Sequence, residues 1–101
     1  MEIICTIDVK NFLYSLDFKT QARTSDLIDT LEILGQKIRP PESKKIGEKL
    51  FELRLIGKPQ VRILYTVIGG KAYLLNGFIK KSWKLPLQEI DKAKMRIKML
   101  A

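Results

Sequence analysis

The stretch LFELRLIGKPQVRILYTVIGGKAYLLNGFIKK, residues 50–81, decides the fold. It alternates apolar and polar residues within short runs rich in β-branched and aromatic side chains, which is the period-two pattern of strands. Gly57-Lys58-Pro59 and Gly69-Gly70 interrupt the pattern, and both are turn signals. The stretch therefore predicts an antiparallel β-meander with strands over residues 50–55, 61–68 and 71–80.

The residues before this stretch predict a strand followed by a helical hairpin. Residues 2–7 are short and β-branched, so they suit a first strand. Asp8 is a candidate N-cap for a first helix, and Asp17 is one for a second helix from about Phe18 to Leu34. Gly35 is a plausible stop. The predicted apolar stripe of the second helix consists of Ala22, Leu27, Ile28, Leu31 and Leu34.

Residues 36–49 predict a basic loop centred on Pro40-Pro41. After the meander, Pro86 suits the first turn of a final helix. The predicted buried stripe of that helix consists of Leu87, Ile90, Ala93, Ile97 and Leu100. The whole chain, 1–101, is therefore expected to form one α+β domain, with helices covering one face of the sheet.

Charge is unevenly distributed along the chain. Residues 1–35 hold three basic and six acidic residues, a net charge of −3, whereas residues 36–101 hold 16 basic and five acidic residues, a net charge of +11. Such asymmetry favours a polyanionic partner for the basic part, although a solubilising lysine-rich surface would give the same composition.

Several functional classes have no support in the sequence. Cys5 is the single cysteine and there is no histidine, so we expect a structural thiol, no disulfide and no metal or other cofactor. No secretory leader or run of about 20 apolar residues is present, which favours a cytoplasmic protein without a membrane partner.

The segments VKNFLYSL, LFELRL, VRILY and AYLLNGFIKKSWKLPLQEIDKAKMR together resemble the phage-derived, toxin-like branch of the RelE/ParE superfamily, close to the HigB-type toxins. That branch carries LWELR-type and RILY-type strands and a LLHGFxKKxxKxP segment leading into a helix. The resemblance extends from about Val9 to Lys98.

The resemblance implies a microbial-RNase-like fold and a toxin of a type II toxin–antitoxin system. It implies metal-free cleavage of mRNA in the ribosomal A site, which would inhibit translation. It also implies an antitoxin partner, frequently a helix-turn-helix protein encoded nearby. Two alternatives remain open: a non-enzymatic inhibitor of DNA gyrase of the ParE kind, and an inactive phage-derived remnant that binds only RNA or antitoxin.

Metal-free RNA cleavage requires a base for the 2′-hydroxyl, cations for the phosphorane and an acid for the leaving oxygen. Arg54 and Arg62, at exposed positions of neighbouring strands, are the first candidates, because an arginine fork grips phosphate in two places. Lys80 and Lys81 correspond to the position where related toxins carry a catalytic basic residue, and strand alternation would place only one of them in the site. Glu52 is a candidate base or a salt-bridge partner of the arginines.

Other residues are candidates for RNA binding. Trp83 could stack on a base or cover the core edge, and Lys84 lies beside it. Lys44, Lys45 and Lys49 could contact RNA backbone by charge or belong to ordinary surface. Asn76 stands where family members often carry histidine, so it could only hydrogen-bond the substrate. Glu42 and Glu48 are weaker base candidates, and Tyr65 is expected in the core.

Overall fold

A five-stranded sheet forms the centre of the molecule in the computed structural model, which describes residues 1–100. Along the chain the strands are β1 (Glu2–Cys5), β2 (Ser43–Gly47), β3 (Leu50–Arg54), β4 (Val61–Ile68) and β5 (Lys71–Ile79). Their spatial order is β1-β5-β4-β3-β2. The predicted meander is confirmed as β3, β4 and β5, and the first strand joins it by pairing parallel to β5.

Three α-helices accompany the sheet: α1 (Ile7–Ser15), α2 (Phe18–Leu34) and α3 (Leu87–Leu100). The predicted limits of α2 are confirmed. The Asp17 carboxylate accepts a hydrogen bond from the Thr20 amide at 3.2 Å. Gly35 adopts a φ of 56° at the C-cap, where a 3-10 turn over Gly35–Lys37 begins. None of the described α-helices is long and apolar enough to span a membrane.

The predicted cap of α1 is wrong by two residues. Thr6 is the N-cap, and its Oγ1 accepts a hydrogen bond from the Val9 amide at 3.5 Å. Asp8 lies instead in the first turn and forms an ion pair with Arg96 of α3. Threonine and aspartate cap helices almost equally well, so the local sequence does not distinguish between these two starts.

The predicted loop over residues 36–49 contains a strand that the sequence analysis missed. β2 pairs antiparallel with β3 through Ser43 opposite Leu53, Lys44 opposite Glu52 and Lys45 opposite Phe51. Its sequence SKKIG has one apolar residue and therefore no readable period. β2 is an edge strand, and charged side chains on such a strand discourage pairing with another chain.

The helices cover both faces of the sheet, which corrects the expectation of one covered face. α1 and α2 pack on the face that includes Val61, Ile63 and Tyr65, where Tyr65 is buried as predicted. Ala93 of α3 packs on the opposite face, against Leu64 and Leu75. The register between β4 and β5 shifts between Leu64 and Tyr65, which leaves one extra residue in β5. As a result the consecutive residues Leu75 and Asn76 both contact α3.

The helix stripes are only partly as predicted. In α2 the buried residues are Thr20, Thr24, Leu27 and Leu31, whereas Ala22 is exposed and Leu34 is 43% exposed. In α3 only Ala93 is fully buried, Ile90 and Ile97 are half-buried, and Leu87 and Leu100 are exposed. Two threonines replace apolar residues on the buried side of α2; the Thr24 hydroxyl donates to the Thr20 carbonyl at 2.8 Å, which removes the cost of burying it.

Gly77 allows α1 to approach the sheet closely. A Cβ at this position would overlap the aromatic ring of Phe12. Cys5 at the end of β1 packs on the same core, and burial raises the pKa of its thiol. A half-buried thiol with a raised pKa fits the structural role expected for Cys5.

Candidate functional site

A cationic cleft of about 770 Å³ lies where β3 ends, β4 begins and β5 ends. The residues around it are mostly basic or polar: Arg54, Lys58, Pro59, Gln60, Arg62, Ile79, Lys80, Lys81, Ser82 and Trp83. The structure thus brings together four of the predicted catalytic residues, Arg54, Arg62, Lys80 and Lys81, which are separated by up to 27 positions in the sequence.

Strand register explains this convergence. Arg54 of β3 stands directly opposite Arg62 of β4, and directly opposed residues of an antiparallel pair point to the same face. Arg62 is in turn opposite Phe78 of β5, and β5 ends one residue later at Ile79, which brings Lys80 to the same end of the sheet as the two arginines. The Lys80 amide donates to the Gln60 carbonyl at 2.9 Å, which fixes the end of β5 against the start of β4.

Glu52 holds the two arginines beside each other. Its Oε1 lies 3.4 Å from Arg54 Nε and 4.0 Å from Arg62 Nε. Its side chain is only 9% exposed, and Glu52 is not among the residues around the cleft. The geometry therefore favours the salt-bridge alternative for Glu52, because a buried carboxylate shared by two guanidinium groups is poorly placed to reach a substrate hydroxyl.

Arg62 is buried, although the alternation of β4 predicted an exposed position. The residue is 6% exposed, and its Nη1 donates to the carbonyls of Val61 at 3.0 Å and Leu55 at 3.3 Å. Burial lowers the pKa of Arg62, and the positive charge of Arg54 lowers it further, whereas the negative charge of nearby Glu52 raises it. A guanidinium remains protonated under these conditions, so Arg62 presents a permanent, rigidly held charge at the edge of the cleft.

Lys80 and Lys81 both border the cleft, contrary to the expectation that alternation would admit only one. β5 ends at Ile79, so the two lysines lie beyond the regular strand and strand alternation no longer applies to them. Lys80 is half-buried and Lys81 is exposed. Two ammonium groups can therefore face the arginines across the cleft.

Trp83 forms an exposed aromatic wall of the cleft. The residue is 88% exposed, so the alternative of a core-covering role does not describe it. Lys84 is exposed next to it but does not border the cleft. An open indole beside cations suits stacking on an unpaired base.

Asn76 does not reach the cleft. It is 2% exposed beneath α3, where its Nδ2 donates to Glu89 Oε1 at 3.0 Å and to the Glu89 carbonyl at 3.2 Å. The predicted hydrogen bond of Asn76 to RNA therefore has no support in this geometry. In this chain the position links β5 to α3.

The lysines of the predicted basic loop lie away from the cleft. Lys44 and Lys45 are exposed on β2, the outermost strand, and Lys49 follows in the β2–β3 turn with a φ of 57°. The weaker base candidates Glu42 and Glu48 do not border the cleft either. Lys44 is opposite Glu52 and therefore shares the sheet face that carries Arg54, whereas Lys45 is opposite Phe51 and points to the other face.

Gln60, Ser82 and Lys58 border the cleft and were missed by the sequence analysis. They lie in turns whose side-chain directions have no periodicity, so only the neighbouring arginines and lysines could have indicated them. Arg23 of α2 braces the turn before β4 by donating from Nη2 to the Ile56 carbonyl at 2.7 Å. Within residues 1–100 no cluster of Cys, Asp and Glu side chains could ligate a metal ion.

Comparison with solved structures identifies the class to which this fold belongs. A protein described as "YoeB/ParE toxin from Agrobacterium tumefaciens" superimposes with a TM-score of 0.62 over 80% of this chain and 100% of its own, at 13% sequence identity. At that identity the likeness shows the fold, which is the RelE/ParE fold predicted from the sequence. No curated protein sequence matches the chain significantly.

The family follows from the sequence itself. Residues 11–98 match the family model described as "Phage derived protein Gp49-like (DUF891)". The chain therefore belongs to the Gp49-like family, and the recognition of the RelE/ParE toxin superfamily, made from its strand motifs, is confirmed.

Proposed function

We propose that this protein is the toxin of a type II toxin–antitoxin system and a metal-free endoribonuclease that cleaves mRNA on the ribosome. The observation that carries the proposal is the convergence of Arg54, Arg62, Lys80 and Lys81 around one cleft with an exposed indole. Membership of the Gp49-like family supports the toxin role, and an antitoxin is then the expected partner.

The arginines would bind the scissile phosphate. The Arg54 guanidinium forms an ion pair with Glu52, and Arg62 is hydrogen-bonded to backbone carbonyls, so both charges lie at the cleft before RNA arrives. Preorganised cations stabilise the extra negative charge of a pentacoordinate phosphorus at little reorganisation cost. Arg54, which is half-buried, would contact the phosphate directly. The buried Arg62 would stabilise the phosphate through its positive charge from a position behind Arg54.

The lysines would carry the protons. No histidine exists in the chain, so the acid for the leaving 5′-oxygen and the base for the 2′-hydroxyl must come from other groups. Lys80 and Lys81 are the amines that border the cleft opposite the arginines, beside Lys58. In the ribosomal A site the mRNA is single-stranded, and Trp83 is available to stack on one of its bases.

A translation reaction reconstituted from purified components tests this proposal. We expect the wild-type protein to cut a defined mRNA only when ribosomes are present, and Arg54→Ala to reduce the rate by about 100-fold or more, as removal of one preorganised donor does elsewhere. Cleavage is mapped by primer extension. Lys71→Ala is the matched control, because Lys71 is exposed at the opposite end of β5, about 26 Å away by strand length.

Three outcomes would contradict the proposal. Intact mRNA together with failure of DNA gyrase to supercoil a plasmid would identify an inhibitor of the ParE kind. Intact mRNA, active gyrase and no growth arrest on expression would identify an inactive remnant. Equal cleavage by the wild type and Arg54→Ala would exclude the cleft as the site.

A further inference from the structure

A second cavity lies on the opposite face of the sheet from Arg54 and Arg62. It has a volume of about 330 Å³ and opens between the end of α2 and strands β2, β3 and β4. Its walls are apolar and come from Leu31, Ile38, Phe51, Tyr65 and Val67. None of these residues borders the cationic cleft, so the cavity has no part in the reaction proposed above.

The floor of this cavity is closed to polar groups. The hydroxyls of Ser43 and Tyr65 hydrogen-bond to each other at 2.7 Å, and both residues are buried. The rings of Phe51 and Tyr65 stack with centroids 5.3 Å apart, which makes the wall rigid. Because the two floor hydroxyls are already paired with each other, an entering apolar side chain would displace no hydrogen bond here.

The rim of the cavity is cationic. The exposed Arg39 and Lys45 supply the positive charges of this rim, and no aspartate or glutamate within the described residues 1–100 borders the cavity. Lys44 also borders it, but Lys44 is opposite Glu52 and therefore directs its side chain to the other face of the sheet. The Arg39 guanidinium is held in place by donating from Nη1 to the Gln36 carbonyl at 3.0 Å. A preformed apolar hole with a positive rim is complementary to an apolar side chain flanked by carboxylates.

We propose that this cavity anchors the antitoxin through an apolar side chain set in an acidic segment of that protein. This inference rests on the proposed toxin role, which supplies the partner. Because the cavity and the cleft lie on opposite faces, the anchor would hold the antitoxin on the toxin without itself filling the cleft. Lys45 of β2 and the neighbouring Arg39 would then serve protein recognition rather than RNA binding.

The test measures binding of the protein encoded by the neighbouring open reading frame, by isothermal titration calorimetry. We expect Arg39→Glu/Lys45→Glu to weaken binding at least about tenfold, with a reduced dependence on salt. We expect Val67→Phe, which fills the cavity without changing charge, to weaken it about thirtyfold, as loss of a buried anchor does. Lys94→Glu/Lys98→Glu on α3 is the control with equal charge change, and thermal unfolding verifies that each variant folds.

The proposal would be overturned if the rim variant and the cavity variant both bound the partner with affinities within twofold of wild type. It would also be overturned if the wild type did not bind the partner. Loss of ribosome-dependent cleavage by the rim variant, with partner binding retained, would assign the surface to RNA and also overturn it. The nuclease proposal and the anchor proposal can fail independently. If the wild type cuts no mRNA but the rim and cavity variants lose partner binding, the nuclease proposal is wrong and the anchor proposal is supported. Arg54→Ala should retain full partner affinity.

Discussion

Arg62 serves both the fold and the site through the same guanidinium group. Its bonds to the carbonyls of Leu55 and Val61 satisfy backbone acceptors, and its charge helps to balance the buried Glu52. The sequence identified Arg62 as a site residue, but strand alternation gave the wrong exposure. Strand alternation does not specify that the Arg62 guanidinium bends back onto the carbonyls of Leu55 and Val61, and this conformation is what buries it.

Arg62→Ala should therefore cost both stability and activity. We expect the free energy of unfolding to fall by about 1.5–3 kcal/mol, because hydrogen bonds from a charged donor are lost and Glu52 keeps a single cationic partner. Urea unfolding measures the change. Arg62→Lys keeps the charge, and we expect a smaller stability loss from it together with impaired cleavage. An unfolding free energy unchanged by Arg62→Ala would show that these bonds contribute nothing.

Trp83 should affect RNA binding alone. Because the indole is 88% exposed, we expect Trp83→Ala to change stability by less than about 0.5 kcal/mol. Loss of base stacking, worth about 1–3 kcal/mol, should weaken binding of a short single-stranded RNA by about 5- to 150-fold. Fluorescence anisotropy measures this, and Trp83→Phe should retain most of the affinity. Equal affinity of Trp83→Ala and wild type would remove the indole from the RNA site.

The elements show which sequence signals suffice. α2 and the three meander strands were predictable because caps, glycines and turn residues mark their ends. β2 was not predictable, since SKKIG is a strand only by virtue of its pairing with β3. The position of α3 on the second face was not predictable either, because its one fully buried residue is Ala93 and its apolar stripe has no preferred partner in the sequence.

The cap of α2 gives a prediction about pH. Hydrogen bonds to Thr20 lower the pKa of Asp17, so its stabilising effect is present above the ordinary aspartate pKa, near 3.8, and is lost as pH falls through the lowered value. Asp17→Asn still caps the helix but does not titrate. We therefore expect the drop in melting temperature between pH 7 and pH 2.5 to be smaller in Asp17→Asn than in wild type. An identical drop in both proteins would exclude this contribution.

At the scale of the whole molecule, charge is sorted by position. The acidic first 35 residues supply β1, α1 and α2, whereas the basic remainder supplies the cleft and the second cavity's rim. The charge asymmetry therefore indicated the cationic cleft correctly. It could not show that the basic residues divide between two faces, since that division requires the register of β2 on β3.

This sorting predicts how RNA binding responds to salt. Each phosphate contact contributes about 0.7 to the slope of log affinity against log salt for single strands. If Lys80 and Lys81 each contact one phosphate, Lys80→Ala/Lys81→Ala should reduce that slope by about 1.4, whereas Arg39→Ala/Lys45→Ala, at the rim of the second cavity, should leave it unchanged. Anisotropy titrations at several salt concentrations provide both slopes. A reduction only in Arg39→Ala/Lys45→Ala would place the RNA on the face of the second cavity.

The contact between Gly77 and Phe12 couples the first helix to the central sheet in a way that limits variation at both positions. The missing side chain of one residue is the space occupied by the ring of the other. A larger residue at position 77 fits only if a residue smaller by a similar volume replaces Phe12. The two positions can therefore be substituted only together. Phe12 and Gly77 thus set the spacing between α1 and β5 jointly, although 65 positions separate the two residues in the chain.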